Sequence, residues 1–531
     1  MVKGHLALVL HAHLPFVRHP EHPFFLEEEW LYEAITETYL PLLDCFEKLA
    51  SDGVPFRLTL SLSPTLLAML GDDLLRRRYE RHLEHLRALV EREIARTKRD
   101  AKVQKVALHY REQLSRADQM WQHLAGNLPA AFARLQRQGY LDILTCAATH
   151  GYLPLMRNHP AAVRAQIRTA VQQHKQVIGV APTGIWLPEC GYYPGLDAIL
   201  AEEGLRYFVA DAHAVHFSRP RPRNGTYAPV FCAGSGVALF PRDHQTSVQV
   251  WSRRQGYPGD PAYREFYRDI GFDLPMEALA NYLQPPGMRK HTGIKYHRIT
   301  GSTSAKETYC VDLAKEKAAE HAANFMFNRE KQIEHHHDVL ERDALVVAPY
   351  DAELFGHWWY EGPWWIDYFC RKSAYDQSSY RLTHLREYLA KYSTQQLVQP
   401  AESSWGEGGY NAVWLDDNNS WIYPKLHRAA GQMIRLAQEY PEATGWQQRA
   451  LNQAARELML AQASDWAFMI YTDTTVDYAT ERTESHLSNF DELRTMIEAG
   501  GGVGSLDPIC ISRLEAKNNL FAAMDYRVYG E

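Results

Sequence analysis

The chain has 531 residues, of which 46% are hydrophobic and 23% charged, a composition typical of a folded globular protein and not of a disordered one. Its formal net charge of -7 gives no general attraction for nucleic acid or anionic lipid, so we expect neither as a partner. The 7 cysteines are dispersed without a C-x-x-C pair, which argues against a zinc ribbon or a disulfide scaffold and favours a reducing, cytoplasmic compartment.

The N-terminal part of the chain predicts alternating strands and helices. The first apolar run, at 6–10, is followed by His11 and His13, and this start is too short and polar for a signal peptide. No segment has the ~20 apolar residues of a membrane span. A helical stretch at 30–50 and a second strand-like run at 56–62 complete a β-α-β beginning.

The charged segment 72–138 has Leu and Val at helical spacing, which predicts a helical hairpin inserted into the strand-rich part. Strand-like runs then resume, most of them separated by helical segments, at 141–146, 184–187, 207–210, 237–240, 247–251 and 345–348. Such alternation predicts a parallel sheet, closed into a barrel at this chain length.

Two segments rich in Pro and Gly, 219–236 and 284–293, predict surface loops that shape a cleft. After Tyr423 the strand signals stop, and helical runs at 425–439, 446–469 and 484–499 predict a C-terminal helical domain. We therefore expect a catalytic domain at 1–410, interrupted by the insertion at 72–138, and a helical domain at 411–531.

Polar clusters follow nearly every predicted strand. They are His11-Ala-His13, Ser61 to Pro64, Thr149-His150-Gly151, Pro188-Glu189, Asp211-Ala-His213 and Tyr350-Asp351-Ala-Glu353. Because catalytic groups of parallel barrels come from the carboxyl ends of several strands, we expect these clusters to meet at one site. The absence of a nucleophile elbow, a P-loop or a dinucleotide fingerprint leaves serine hydrolase, NTPase and dinucleotide chemistry without support.

Glu189 and Asp351 are the candidate catalytic pair. Each follows an apolar strand, and aromatic residues flank both. Glycosidic chemistry needs two carboxyl groups, one that attacks or stabilises the oxocarbenium-like centre and one, with a raised pKa, that protonates the leaving oxygen. A retaining mechanism requires the two groups to lie ~5–5.5 Å apart.

Several tryptophans are candidates for stacking on glucose rings. Trp405 and Trp414 lie in the segment WGEGGYNAVWLDDNNSW, whose Gly, Asn and Asp content predicts a loop, and we favour sugar contact for both. For Trp358 and its neighbours Trp359, Trp364 and Trp365, core packing is an equal alternative.

The histidines leave three interpretations open. An H-x-H pair after the first strand also begins several metal-dependent barrel hydrolases, in which His150, His213 and Asp351 would complete the site. The same histidines could hydrogen-bond sugar hydroxyls or simply fill the top of the barrel. We rank sugar binding first and the metal site last, and expect no metal and no cofactor. The triplet at 335–337 is interpreted as a solvated helix face.

Five motifs, in order over essentially the whole chain, resemble those of glycoside hydrolase family 57. They are HAHLPFVRHP, ATHGYLPL, WLPECGYYPG, APYDAELFGHWWYEGP and AESSWGEGGYNAVWLDDNNSW. The Trp-rich fifth motif, the segments GYPGDPAYREFYRDIGFDLP and GIKYHRITG, and ASDWAFMI in the helical C-terminal part resemble the family's 1,4-α-glucan branching enzymes.

The resemblance implies an incomplete (β/α)7 barrel and a retaining transfer of an α-1,4-glucan chain to a 6-hydroxyl. Glu189 would be the nucleophile and Asp351 the acid/base. The donor subsite would be lined by His11, His13, His150 and Asp211 or His213, and the chain would be contacted by Arg264, Trp405 and Asp465. Phe272 stands where some relatives would have Trp, which puts that aromatic contact in doubt.

Two other activities are possible on the same scaffold: hydrolysis by an α-amylase and disproportionation by a 4-α-glucanotransferase. A metal-dependent hydrolase and a non-catalytic glucan-binding protein are more distant alternatives. The outcome depends on whether water or a sugar hydroxyl captures the intermediate. We hypothesise that the 219–236 loop closes over the cleft, with Tyr227 at its tip favouring transfer.

Overall fold

The protein is an α/β structure followed by a helical C-terminal region. The computed structural model describes residues 2–252, 256–280, 282–283, 287–340, 342–499 and 506–530. The strands are β1 (Gly4–Ala12), β2 (Leu58–Leu62), β3 (Leu141–Leu144), β4 (Gly184–Trp186), β5 (Tyr207–Ala210), β6 (Val230–Cys232), β7 (Ala238–Pro241), β8 (Ala344–Asp351), β9 (Tyr380–Leu382) and β10 (Gln396–Val398).

Seven of these strands lie side by side and parallel in the order β1, β2, β3, β4, β5, β7, β8. The strands β3-β2-β1-β8 form one sheet, and β4, β5 and β7 belong to a second. Trp186 N donates to Thr145 O at 2.8 Å and joins β4 to the end of β3. On the opposite side Asp243 N, just after β7, donates to Val347 O in β8 at 2.8 Å. The carboxyl ends of all seven strands therefore face the same side.

The remaining strands lie outside this order. β6 pairs antiparallel with β7, β10 pairs parallel with β6, and β9 lies parallel beside the start of β1.

The parallel strands are almost entirely apolar because both faces of the sheet are covered. In β1 the consecutive residues from Leu6 to Leu10 have no exposed surface. Sheets buried on both faces require such unbroken hydrophobic runs. The strands predicted at 6–10, 56–62, 141–146, 184–187, 207–210, 237–240 and 345–348 are confirmed, with small differences at their ends.

Sixteen helices precede the C-terminal region in the described chain. They are α1 (Glu28–Ala34), α2 (Leu40–Ser51), α3 (Pro64–Leu70), α4 (Asp73–Arg96), α5 (Ala101–His123), α6 (Leu128–Arg137), α7 (Leu153–Met156), α8 (Pro160–Ile178), α9 (Leu196–Glu202), α10 (Ala212–His216), α11 (His244–Trp251), α12 (Ile270–Asp273), α13 (Met276–Leu279), α14 (Val311–Leu340), α15 (Gly362–Tyr375) and α16 (Leu385–Lys391). A π-helical turn, Ile35–Tyr39, joins α1 to α2.

The segment 72–138 consists of the three helices α4, α5 and α6, and α4 packs against α5. Side-chain caps define where they begin: Asp72 accepts from Leu74 N and Leu75 N, and Asp100 accepts from Lys102 N and Val103 N. Such caps satisfy the free N–H groups of the first turn.

The strand predicted at 247–251 is wrong, because these residues lie in α11. The carboxylate of Asp243 accepts a hydrogen bond from Thr246 N and caps this helix. A helix-capping Asp therefore outweighs the strand propensity of the Val residues that follow.

The two predicted loops have different outcomes. Segment 219–236 contains the strand β6, so it is not all loop. In segment 284–293 the first three residues, with both prolines, lie outside the described part of the chain.

The C-terminal region is helical, as predicted. Its helices are α17 (Ile422–Glu439), α18 (Gly445–Ala461), α19 (Ser464–Tyr471), α20 (Val476–Glu498) and α21 (Pro508–Lys517). α18 is buried along most of its length and packs against α17, α20 and α21. The boundaries 1–410, 72–138 and 411–531 stay predictions. Among the described residues, no helix is both long enough and apolar enough to cross a membrane.

Candidate active site

Both candidate catalytic carboxyl groups lie at the carboxyl ends of parallel strands. Asp351 is the last residue of β8, and Glu189 lies three residues after the end of β4 in a short 3-10 turn. In the pairing of β1 with β8, His11 is directly beside Asp351. The strand ends predicted to meet therefore do meet at one side of the sheet.

Glu189 is held in a strained backbone conformation. Its φ is 60°, and Cys190 and His150 also have positive φ values of 52° and 57°. Residues other than glycine adopt this region at a cost of ~1–3 kcal/mol, and such strain clusters at functional sites. The conformation is fixed by its neighbours, since Trp405 N donates to Glu189 O and Ser464 N donates to His150 O.

Hydrogen-bond donors surround the Glu189 carboxylate. Trp405 Nε1 donates to Oε2 at 2.8 Å, and Ser464 Oγ donates to Oε1 at 3.0 Å. Burial raises the pKa of Glu189 to about 7 and the charge of Asp465 adds to the rise, whereas the bonds from Trp405 and Ser464 oppose it. Donors to a carboxylate stabilise its ionised form.

A chain of hydrogen bonds leads to Glu189 and defines the tautomers of two histidines. Because the Ser464 hydroxyl donates to Glu189, its oxygen accepts from His150 Nδ1 at 2.8 Å. His150 Nε2 is then the acceptor for His11 Nε2–H at 3.0 Å, and His11 Nδ1 accepts from the Ser61 hydroxyl at 3.0 Å. Burial holds the pKa values of His11 and His150 well below their ordinary value, so both rings are neutral.

The environment of the Asp351 carboxyl group differs from that of Glu189. Within the described part of the chain its side chain makes no hydrogen bond. Burial raises its pKa well above the ordinary value, the charges of Glu353 and Glu189 raise it further, and Arg242 opposes them. A half-buried carboxyl without donors and beside two other carboxyls tends to hold its proton. This environment favours the protonated form of Asp351.

His13 connects the strand end of β1 to Asp465 of the C-terminal region. Its Nε2 donates to Asp465 Oδ2 at 3.1 Å, and its ring lies 3.9 Å from that of His150, nearly parallel. Burial alone would raise the pKa of Asp465, but the charge and hydrogen bond of His13 lower it. Asp465 is thus an ionised group at the same site.

The structure also places the remaining predicted residues. Asp211 caps α10 through His213 N and lies 3.6 Å from Arg242 Nη1. His213 packs edge-on against Tyr410 at 4.6 Å, and its buried Nε2 has no partner in the described chain. Trp358 is exposed and stacks on Phe266, and its backbone N–H donates to Glu353 O. Asp211 and the Trp358 ring have exposed surface for a ligand, whereas His213 Nε2 is unpaired in the described chain but buried.

Three predicted sugar contacts are contradicted. Trp414 is 1% exposed and stacks on Tyr152 at 4.4 Å, so it offers no ring face to a ligand. The Arg264 guanidinium is buried between Glu37, Tyr110 and Gly293 O, which use its donors internally.

Tyr227 is the third contradicted sugar contact, because it lies near the amino ends of the parallel strands and not near their carboxyl ends. Its carbonyl accepts from Leu345 N at the start of β8, ~20 Å along the strand from Asp351. The 219–236 loop therefore does not cover the carboxyl ends. Tyr227 instead stacks on His336, at 3.4 Å between ring centroids, so the triplet at 335–337 is only partly solvated. Phe272 is 47% exposed and lies against His291.

Four functional residues were not assigned from the sequence. Glu353 accepts from Tyr39 Oη and from His13 N, and burial raises its pKa to about 7. Its position two residues after Asp351 could have identified it. Arg242 lies under Trp405, at 5.8 Å from the ring. Trp186 stacks on His11, and Ser464 precedes Asp465. Trp186 is close to Glu189 in the sequence, and its position could have identified it. Nothing local distinguishes Arg242 and Ser464, since only the fold brings them to Glu189.

Two clusters here have atoms placed as metal ligands could be. They are His13, His150 and Asp465, and His11, Cys146 and His150. His213 and Asp351, proposed for a metal site from the sequence, belong to neither cluster. The imidazoles of both clusters are already hydrogen-bonded to one another, to serines or to Asp465.

The arrangement suits glycosidic chemistry. Glu189 has two hydrogen-bond donors that favour its anion, whereas Asp351 has none in the described chain and its pKa is raised well above the ordinary value. Glycoside cleavage requires two carboxyl groups that differ in this way. Half-buried Trp405 lies between Glu189 and Arg242, and the neutral histidines supply hydrogen-bonding groups without adding charge.

Comparison with known proteins agrees with this chemistry. Residues 7–401 match the model of glycosyl hydrolase family 57, and residues 425–529 match that of the 1,4-alpha-glucan branching enzyme C-terminal region. The chain is 33% identical to the 1,4-alpha-glucan branching enzyme of Thermococcus kodakarensis, over 98% of this chain and 78% of that protein.

Two crystal structures are similar over nearly the whole chain. The alpha-amylase AmyC from Thermotoga maritima has a TM-score of 0.93 and 42% identity, covering 99% of both chains. The branching enzyme from Pyrococcus horikoshii has a TM-score of 0.90 and 32% identity, covering 100% of this chain and 97% of its own. The chain therefore belongs to glycosyl hydrolase family 57.

Proposed function

We propose that the protein is a 1,4-α-glucan branching enzyme, which cleaves an α-1,4 bond and transfers the released chain to a 6-hydroxyl of another glucan. The observation that carries the proposal is the origin of Ser464 and Asp465. Both come from α19, inside the segment that matches the branching-enzyme C-terminal model, and both contact the carboxylate site. This C-terminal segment is thus part of the active site and not an appendage to it.

Glu189 is the nucleophile and Asp351 the acid/base. In the first step the Glu189 carboxylate attacks the anomeric carbon while Asp351 gives its proton to the departing glycosidic oxygen. In the second step the Asp351 carboxylate takes the proton of an incoming 6-hydroxyl, whose oxygen displaces Glu189. Two inversions give net retention, and both carboxyl groups return to their starting states. For this the two groups must lie ~5–5.5 Å apart.

The donor sugar is bound by the groups around Glu189. His11, His13 and His150 lie on one side of it, and Asp211 and His213 follow β5 on the other. The free Nε2 of His213 supports a contact with a hydroxyl group. Trp405, Trp358 and Asp465 are the remaining contacts along the chain. No metal or cofactor takes part.

The fold that presents these groups is an incomplete (β/α)7 barrel. The seven parallel strands support this description, and so does the junction of β7 with β8, where the described residues form a single backbone hydrogen bond, from Asp243 to Val347. The antiparallel pair α4 and α5 is the helical hairpin inserted into it. The seven cysteines are all unpaired, which supports a reducing cytoplasm as the compartment.

The activity test uses amylose as the substrate. Branching lowers the iodine colour, creates α-1,6 linkages that a debranching enzyme then releases as short side chains, and forms few new reducing ends. The same assay after dialysis against a chelator should give an unchanged rate. A rate that falls with the chelator and returns with a divalent metal would favour the metal-dependent hydrolase.

An α-amylase is the second candidate, because the alpha-amylase AmyC from Thermotoga maritima is 42% identical to this chain. Hydrolysis predicts reducing ends that increase in step with the loss of iodine colour, and no side chains after debranching. That result would replace transfer by hydrolysis and leave the roles of Glu189 and Asp351 unchanged.

A further inference from the structure

A second cavity lies behind the helix that follows β1. It has a volume of about 250 Å³, and we call it the α2–α5 cavity because α1, α2, α5, α15 and the segment 291–294 enclose it. Neither Glu189 nor Asp351 lines it. Tyr39 donates to Glu353 on the active-site side of the helix, whereas Glu33, Thr36 and Glu37 line the cavity. The cavity is therefore separated from the active site by one helix.

One wall of the cavity is aromatic. Tyr360, Trp364 and Tyr368 line it and are spaced four residues apart, so they share one face of α15 and the residues just before it. All three are half-buried, while Trp365 and Phe369 on the opposite face of the helix are fully buried. Arg264 covers one face of the Tyr360 ring, at 4.0 Å from the ring centroid, and Lys315 lies over the Trp364 ring at 5.1 Å. The cavity is therefore bordered by half-buried rings, of which Tyr368 has no aromatic or cationic partner in the described chain.

The opposite wall is polar. The π-helical turn Ile35–Tyr39 shifts the helix register, and Glu33, Thr36 and Glu37 face the cavity together. Single π-helical turns inside α-helices occur frequently at functional sites. Gln113 of α5 adds an amide group to the same cavity.

The two carboxyl groups of this wall, Glu33 and Glu37, differ in their hydrogen bonds. Glu37 accepts from Arg264 and from His357 Nδ1 at 2.8 Å, whereas Glu33 makes no hydrogen bond within the described chain and lies 4.0 Å from His357 Nδ1. Burial raises the pKa of Glu33 well above its ordinary value, and the charge of Glu37 adds to the rise. A protonated carboxyl can both donate to and accept from a neutral ligand.

The charges at the other end of the cavity are already paired. Asp44 pairs with Lys48 and Arg116, and Asp367 pairs with Arg371. A cationic or anionic ligand would therefore find no free charge to neutralise. An aliphatic ligand would leave Glu33 and Gln113 without hydrogen bonds, at a cost of ~1–3 kcal/mol for each group.

We propose that the α2–α5 cavity is a second, non-catalytic binding site for the end of an α-glucan chain. The aromatic wall takes the C–H faces of the sugar, and Glu33, Thr36 and Gln113 take its hydroxyl groups. The volume is below the ~300–1,000 Å³ of typical ligand pockets, so the site holds a chain end and not a long segment. The choice of an α-glucan among neutral sugars rests on the proposed function.

The first test counts binding sites. In a Glu189→Gln background, where turnover is blocked, titration calorimetry with maltotriose should give two sites per chain. Ala117→Phe, which fills the cavity from α5, and Trp364→Ala, which removes part of the aromatic wall, should each reduce the count to one. Trp446→Ala, which alters a 39% exposed tryptophan outside the cavity, is the matched control and should keep two.

A single site in the Glu189→Gln parent, or two sites retained in both cavity variants, would overturn the proposal. Using two different cavity variants guards against a failure of one of them to fold.

The second test separates this proposal from the proposed function. In the otherwise unmodified protein Trp364→Ala should raise the KM for amylose by about threefold or more with kcat unchanged, because a second attachment raises the local concentration of chains. Two-site binding in a protein that makes no branches would overturn the branching function alone. Intact branching in a protein with one maltotriose site would overturn the second site alone.

Discussion

Two carboxyl environments in this molecule have opposite electrostatic properties, one around the buried Glu457 and one around the half-buried Asp351. In the C-terminal region Glu457 accepts hydrogen bonds from His486, Asn518, Gln453 and Asn489. Burial alone would raise its pKa, but these donors outweigh burial and lower it. At the strand ends Asp351 has no donor in the described chain, and its pKa is raised.

The difference shows how burial can serve either stability or chemistry. A fully satisfied carboxylate such as Glu457 stays ionised and holds α18 to α20 and to the residues after α21. A carboxyl left without donors beside other carboxyls keeps a proton that it can deliver. Glu189 lies between these cases, because it has two donors and its pKa is still raised to about 7.

The largest effect is expected from neutralising the catalytic pair. Glu189→Gln and Asp351→Asn should each lower kcat by about 10⁴-fold or more, as is usual when a covalent or proton-transfer group is removed. With an α-glucosyl fluoride as donor, Asp351→Asn should recover much of its rate of fluoride release, because fluoride leaves without a proton, whereas Glu189→Gln should not. Equal recovery by both variants would contradict the assigned roles.

Glu457→Gln should lower the free energy of unfolding by about 2–4 kcal/mol and leave kcat unchanged. The substitution removes the charge that four donors surround and places an amide N–H₂ among them. Thermal unfolding of the full chain measures the loss. Glu484→Gln on α20, whose side chain is 58% exposed and pairs with Lys425, is the control and should change little. If the thermal unfolding temperature of Glu457→Gln were unchanged, Glu457 would not be a stabilising carboxylate, and the contrast with Asp351 would be lost.

Trp405→Phe should lower kcat/KM by about 10- to 100-fold, the size expected for one hydrogen bond to a charged group. Loss of the Nε1–H donor destabilises the Glu189 anion and raises its pKa, so the acidic limb of the pH profile should move to higher pH. Trp414→Phe is the control, because the buried Nε1 of Trp414 has no hydrogen-bond partner among the residues that the structure describes. If the two variants behave alike, the bond from Trp405 to Glu189 has no catalytic role.

Glu353→Gln should give the smallest effect, a shift of the alkaline limb of kcat/KM by up to about one pH unit. The negative charge of Glu353 raises the pKa of Asp351, so its removal lowers that pKa. Asp351 then loses its proton at lower pH, and the alkaline limb should move to lower pH. Glu402→Gln, whose carboxylate pairs with Arg157, should leave the profile in place, and a shift in the opposite direction would contradict the argument.

Much of the fold was predictable, because apolar runs that end in polar clusters carry a strong local signal. The strands and the C-terminal helices follow from hydrophobic pattern. The strand prediction at 247–251 was wrong because Asp243 caps a helix there, and the strand-like residues lie in α11. For the site, the strand-end positions of Glu189, Asp351, His11, His13 and His150 were predicted, and the structure brings them together.

The remaining contacts could not be predicted, because the partners are far apart along the chain. Ser464 and Asp465 both lie in α19. Ser464 is 275 residues after its partner Glu189, and Asp465 is 452 residues after its partner His13. Loop composition suggested that Trp405 and Trp414 were equivalent, yet one donates to Glu189 and the other is buried against Tyr152.

Sequence patterns established which residues end the strands and which chemistry those residue types permit, because periodicity and strand-end position are local properties of the chain. The tertiary structure decided which carboxyl group has hydrogen-bond donors and which has none, and this difference supports the proposed assignment of Glu189 as the anion and Asp351 as the acid. That assignment depends on burial and on the charges and donors within a few ångströms, and these are contributed by segments hundreds of residues apart.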